Sequence, residues 1–281
     1  MKPVTKTTFT SLYTNKKTGN KTSFRSNLSK DKLLKNPFLV FLHGFNGSSK
    51  SWAFQFEHFY QNGLIAIDAP GFGESDPVQG GMNAIADEVA SLLYHLGVKR
   101  PIIIGHSMGG MLAQVIAANY PDVCGGLILS CTNKGKAYPE GTPLTADVEA
   151  RILERRSLDD LVFGQLRVKK MLAGEPESNI FSFLSEIAGE IREAGLRCGG
   201  LAMQYLDTSP ILDRIKAPVA IFTAENDIVV APDAAAALAA GLPQARQVRL
   251  AGVGHAPYCE DAAAFNKAIE DFLMTVHDGP L

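Results

Sequence analysis

From residue 37 onward, short apolar runs alternate with stretches of helical periodicity, and this alternation most restricts what the chain can fold into. The clearest runs are PFLVFL (37–42), GLIAID (63–68), PIIIG (101–105), GLILSC (126–131) and PVAIFT (218–223). A strand with one wet face alternates polar and apolar residues. Runs without that alternation belong to strands covered on both faces, the condition of a parallel sheet whose crossover helices lie on either side. Between them, residues 83–97 space Ile85, Val89, Leu92, Leu93 and Leu96 at helical intervals and stop at Gly97. Residues 108–119 form a helix of small and apolar side chains ended before Pro121. The expected class is therefore α/β, with a mostly parallel central sheet flanked by helices. Residues 8–15 and 21–28 flank a KKTGN turn and read as an antiparallel hairpin on the sheet edge. Residues 247–250 read as a further strand, and 261–276 as a closing helix with Phe265, Ile269, Phe272, Leu273 and Val276 inward.

Between the runs at 126–131 and 218–223 the alternation lapses. Residues 133–212 contain no strand pattern, but helical stretches fall near 145–156, 157–173, 178–188 and 189–206. That interval is too long for a simple connection. It reads as a helical cap (133–212) inserted into a core built from residues 1–132 and 213–281. A chain of 281 residues can bury a core of this size.

Apolar residues make up 46% of the chain and charged ones 20%, ordinary values for a globular protein. No apolar run approaches the roughly 20 residues of a membrane span. The basic start has no apolar stretch and no small-residue cleavage site, so no signal peptide is read. Cys124, Cys131, Cys198 and Cys259 occur singly, which suits reduced thiols in a cytoplasm. Residues 1–36 hold nine Lys/Arg against one acid, whereas the rest holds 18 against 28. The basic arm lacks interleaved aromatics and reads as a solvated face. A small-molecule substrate is the expected partner, with neither nucleic acid nor membrane; oligomeric state is not legible. No metal-ligand spacing and no phosphate-binding glycine loop is present, so no cofactor or metal is expected.

The sharpest chemical signal is Gly105-His106-Ser107-Met108-Gly109-Gly110, between PIIIG and MLAQVIAA. A serine at the tip of a tight strand-to-helix turn is lifted clear of the backbone, and its neighbours must be small. Its hydroxyl needs a base. Of six histidines, His255 in AGVGHAP lies in a loop after the last strand, at the carboxyl edge where such sheets carry their sites. His43 reads as a residue that ties its own loop together. The acid that orients the imidazole is expected in AEND (224–227), Asp227 ahead of Glu225. Backbone N–H groups of Met108 and Phe45 are the expected oxyanion donors. Trp52, Met203 and Tyr205 are taken as candidate substrate-binding residues, Trp52 reading first as packing and Met203 and Tyr205 equally as core. Asp68 and Glu74 read as organisers of the loop at 68–76, and Arg192 and Arg197 as solvated helix residues.

With these residues in hand, the chain resembles an α/β-hydrolase with a helical lid. The resemblance rests on HGFNGSSKSW (43–52), DAPGFGESD (68–76), GHSMGG (105–110), AENDIVV (224–230) and GVGHAPYCED (252–261), and spans nearly everything from Pro37 to Val276. It implies the sheet, the lid at 133–212 and the roles argued above. Serine, not aspartate, at the elbow points away from haloalkane dehalogenases and epoxide hydrolases. The segments are similar to those of lactonases, carboxylesterases and ring-cleavage product hydrolases. A serine hydrolase acting on a small carboxylic ester or lactone is the first expectation. A carbon–carbon or amide hydrolase acting on a ring-opened catabolite is the second, and a non-catalytic receptor of the same fold the third.

Overall fold

A computed structural model describes residues 8–27, 38–174 and 178–277. Part of the basic arm read from the sequence lies outside the described residues. Eight strands form one sheet: β1 (Phe9–Thr14), β2 (Lys21–Ser26), β3 (Phe38–Leu42), β4 (Gly63–Ile67), β5 (Ile102–His106), β6 (Gly126–Ser130), β7 (Val219–Ala224) and β8 (Arg246–Leu250). Their order is β1-β2-β4-β3-β5-β6-β7-β8. The hairpin β1–β2 is antiparallel and joins the parallel block through an antiparallel β2–β4 pairing; every pair from β4 to β8 is parallel. The residues of β3, β4, β5 and β6 are all buried, as their unbroken apolar character requires.

Helices α1 (Ala53–His58), α2 (Gly81–His95) and α3 (Met108–Asn119) follow β3, β4 and β5. All of α3 from Met108 to Ala118 is buried, which explains its lack of a polar stripe. After β6 come α4 (Ala146–Ser157), α5 (Asp160–Val168), α6 (Ser178–Gly189) and α7 (Glu193–Tyr205). The chain then continues with β7, α8 (Pro232–Gly241), β8, the short α9 (Pro257–Glu260) and α10 (Ala262–His277). The interval read as a lid, 133–212, thus holds helices and no strand among its described residues. It is tied to the core by a Lys50–Glu190 ion pair of 2.7 Å and by the Arg192 guanidinium, which donates to the Ser75 carbonyl at 2.5 Å. Arg192 is exposed, as expected, and is in addition a lid-to-core link, whereas Arg197 pairs with Glu193 on the lid.

Trp52 needs correction as a substrate-binding candidate. It is fully buried, with its ring 5.0 Å from those of Phe41 and Tyr258 and 6.3 Å from that of Phe265. It fills the core between β3 and α10. Its large aromatic area favours that place, at about 1.5–3 kcal/mol for a buried side chain of this kind, even though its indole N–H is buried without a partner.

Candidate active site

Four parallel strands, β3, β5, β7 and β8, end at one edge of the sheet, and each delivers one part of the site. Ser107 follows β5 directly and adopts φ 53°, ψ −117°, a strained conformation for a residue with a side chain. The turn closes only because its neighbours lack side chains. A Cβ on Gly105 would lie 2.3 Å from the Gly109 carbonyl oxygen, and one on Gly109 would lie 2.1 Å from that of Leu42. The Ser107 N–H donates to the Ser130 carbonyl, and its own carbonyl accepts from the Thr132 hydroxyl at 2.7 Å.

His255 Nε2 lies 3.0 Å from Ser107 Oγ, and His255 Nδ1 lies 2.9 Å from Asp227 Oδ2. The imidazole and carboxylate side chains are almost fully covered. Asp227 Oδ1 accepts the N–H groups of Val229 and Val230 at 2.8 and 3.1 Å. Burial by itself would raise the Asp227 carboxyl. The His255 hydrogen bond and charge, with those two N–H groups, outweigh it and hold the acid below its ordinary value, hence ionised. Glu225, the competing acid, is turned elsewhere, to Arg249 and to the Gly252 N–H.

The oxyanion loop follows β3. Among the described residues, no internal acceptor takes the N–H of Phe45 or of Met108, so both remain available as donors beside Ser107. The loop is held by His43, whose Nδ1 donates to the Gly44 carbonyl at 2.8 Å and whose Nε2 accepts from the Ala69 N–H at 3.0 Å. Asp68 completes the brace, with Oδ1 accepting from the Ser49 N–H at 2.6 Å and Oδ2 from the Ser23 hydroxyl at 2.7 Å.

Two residues near the triad were not singled out from sequence. His106 is buried, and its Nε2 donates to the His255 carbonyl at 2.6 Å. Burial, with the nearby His255, pushes its pKa down to about 3, so it stays neutral. Glu260 accepts the N–H groups of Gly254 and Ala256 at 3.0 Å and that of Ala173 at 2.7 Å. It thereby binds the histidine loop to the segment after α5. Its position in GHAPYCED was visible, but a carboxylate that serves backbone N–H groups across the fold leaves no periodic trace.

Met203 is half-buried and lies one turn beyond Gly199 on α7. At Gly199 the helix touches the site: a Cβ there would lie 2.9 Å from Met108 Sδ and 3.1 Å from the Phe45 ring. Tyr205 needs correction: its hydroxyl donates to the Thr142 carbonyl at 2.6 Å, which makes it a structural tie within the lid. His106, Cys131 and His255 bring potential metal-ligating atoms within 4.8 Å of one another. Both His255 nitrogens are engaged by Ser107 and Asp227 and His106 Nε2 by a carbonyl, whereas His106 Nδ1 is buried without a partner. Burial, then the Asp227 charge, pushes the Cys131 thiol well above its ordinary value.

A partly exposed serine joined through a covered imidazole to a carboxylate, with two free backbone N–H groups in the adjoining turns, has the parts that nucleophilic hydrolysis requires. The sequence profile of the Alpha/beta hydrolase family matches residues 39–268, and the chain belongs to that family. It is a hydrolase of the α/β-hydrolase superfamily. Among its relatives is the 2-hydroxy-6-oxononadienedioate/2-hydroxy-6-oxononatrienedioate hydrolase 2 of Pseudomonas putida. That protein is 28% identical, over 84% of this chain and 87% of its own. The structure of this chain is similar to that of the enol-lactonase from Burkholderia xenovorans LB400, at TM-score 0.79 and 21% identity over 92% of this chain and 98% of that one. A thermophilic esterase from Thermogutta terrifontis gives TM-score 0.80 and 24% identity, over 96% and 99% respectively. These structural likenesses establish the fold.

Proposed function

We propose that the protein is a serine hydrolase that cleaves a small carboxylic ester or lactone through an acyl-enzyme on Ser107. The relay from Ser107 Oγ to His255 at 3.0 Å and on to Asp227 at 2.9 Å carries this reading. Ser107 Oγ attacks the acyl carbon while His255 Nε2 takes its proton. The N–H groups of Phe45 and Met108 hold the resulting oxyanion. Collapse expels the alcohol, protonated by His255, and leaves the acyl group on Ser107. Water, deprotonated by the same imidazole, then releases the acid and restores the serine. Asp227 keeps Nδ1 protonated and offsets the imidazolium charge.

A second reading uses the same residues to cleave a carbon–carbon bond in a ring-opened catabolite, and the Pseudomonas putida relative supports it. Turnover of a panel of esters, lactones, amides and vinylogous diketones separates the two. Ser107→Ala is expected to lower turnover of whichever substrate is accepted by about 10⁴–10⁶-fold. It should also abolish labelling by a fluorophosphonate. Near-normal turnover in a folded Ser107→Ala protein would overturn both readings, whereas a folded wild type that neither turns over any of the panel nor labels would leave the non-catalytic one. A cytoplasmic location is part of the proposal. It is supported by four free cysteines, three of them buried, and by the absence of any membrane-crossing helix among the described residues.

A further inference from the structure

The arginines on the lid helices differ in how their charge is met. Arg155, Arg156, Arg167 and Arg197 each have a carboxylate within 2.5–2.8 Å. Arg151, on α4, has none within ion-pair distance among the described residues, although it is half-buried. Its guanidinium lies 5.4 Å from the centre of the Phe45 ring, and its Nη1 donates to Asn46 Oδ1 over a long 3.4 Å. The nearest acids do not serve it: Glu154 is taken by Arg167, and Asp147 is exposed.

The position matters as much as the missing partner. Phe45 is the residue whose N–H is a candidate oxyanion donor, and its ring also meets Phe72 and α7 at Gly199. Asn46 donates through Nδ2 to Met171 Sδ at 3.4 Å, and the Met171 carbonyl accepts the His255 N–H at 2.6 Å. Arg151 thus stands where the lid, the oxyanion loop and the histidine loop converge. Burial and the like charge of Arg167 lower its pKa, and the charges of Asp147 and Glu154 offset this only in part. Among the described residues, only its Nη1 has a hydrogen-bond acceptor. A planar fork of donors over an aromatic face suits a carboxylate taken bidentately.

We propose that Arg151 is a specificity-determining residue that receives a carboxylate on the substrate, so that the preferred substrate is an anionic ester, lactone or ring-opened acid. This rests on Ser107 being the nucleophile. Asn46 orients the guanidinium, and the Phe45 ring beneath it excludes water from one face.

The test compares p-nitrophenyl hemiglutarate with neutral p-nitrophenyl valerate, of the same carbon chain length, in wild type, Arg151→Gln and Arg151→Lys. Wild type is expected to favour the acid in kcat/KM. Arg151→Gln should cut the acid-to-neutral ratio by about 10- to 100-fold, chiefly through KM for the acid. Arg151→Lys, which keeps the charge but loses the fork, should fall between wild type and Arg151→Gln. Arg156→Gln, which removes an equal charge from an exposed lid position, should leave it unchanged. Fluorophosphonate labelling of Ser107 reports that each variant is folded. It also supplies a form of the test without turnover, since glutarate should slow labelling of wild type and not of Arg151→Gln. An unchanged ratio in labelled Arg151→Gln overturns the proposal alone, as does equal protection by glutarate. Failure of wild-type Ser107 to label overturns the serine-hydrolase reading and this inference with it.

Discussion

At the scale of the residue, the two buried imidazoles beside the triad have consequences for stability as well as geometry. His106 is neutral in the fold, with a pKa of about 3, whereas in the unfolded chain a histidine titrates near roughly 6.5. Between these values the unfolded state binds a proton that the native state refuses. The stability tied to His106 is therefore complete above the unfolded value and is lost as pH falls through that window. His43 adds to the same trend, because burial, outweighing Asp68 and the Gly44 carbonyl, lowers its pKa too. Urea unfolding at pH 7, 6 and 5 should show stability falling with acid. In His106→Gln, which keeps an N–H donor, the slope should be shallower by up to about 1.4 kcal/mol per pH unit, the value of one proton. Parallel slopes would mean that His106 takes up its proton in the native state.

At the scale of the element, the histidine loop between β8 and α9 is a short irregular segment that nevertheless holds a catalytic candidate to within a hydrogen bond. Both backbone groups of His255 are tied. Its N–H donates to Met171, and its carbonyl accepts from His106, each at 2.6 Å. Glu260 gathers the residues on either side, Gly254 and Ala256, together with Ala173 from the lid. Glu260→Ala leaves three N–H groups to find water, at about 1–3 kcal/mol of stability. The loosened imidazole should cost about 10- to 100-fold in kcat with a much smaller change in KM, since misplacement by an ångström is that expensive. Glu260→Gln, which retains one acceptor oxygen, should recover part of the rate. Steady-state kinetics decide this: a loss confined to KM would assign Glu260 to the lid and not to the histidine.

At the scale of the whole molecule, the candidate triad and the helices proposed to govern recognition belong to different parts of the chain. The sheet's carboxyl edge carries Ser107, Asp227, His255 and the oxyanion loop, and the helices at 146–205 lie against Phe45 and Met108 without contributing a triad member. Substitution of Met203, one turn from Gly199, by Ala or Phe is expected to shift the preferred acyl chain and raise KM several-fold. Labelling of Ser107 by a small organophosphate should persist. The competition between acyl chain lengths in one reaction vessel reads this directly. Unchanged preference together with lost labelling would place α7 in the catalytic machinery.

Much of this arrangement is local and could be read directly. The all-apolar runs specify strands buried on both faces, and every one of them pairs in the sheet within a residue or two of the expected bounds. The glycines around Ser107 specify the elbow, since the same crowding acts wherever a strand turns sharply into a helix. The choice of His255 and Asp227 follows from strand polarity, because parallel strands must release their loops at one edge. What tertiary structure alone decided are the places where one residue type serves two ends equally well. Trp52 is apolar enough for a pocket or a core, and only the packing of Phe41, Tyr258 and Phe265 put it in the core. Tyr205 was oriented by a distant carbonyl. Arg151 has the helical spacing of a solvated residue. Its place on top of Phe45, with no ion-pair partner among the described residues, exists only once α4 has crossed the oxyanion loop, because charge balance is settled by neighbours in space and not along the chain.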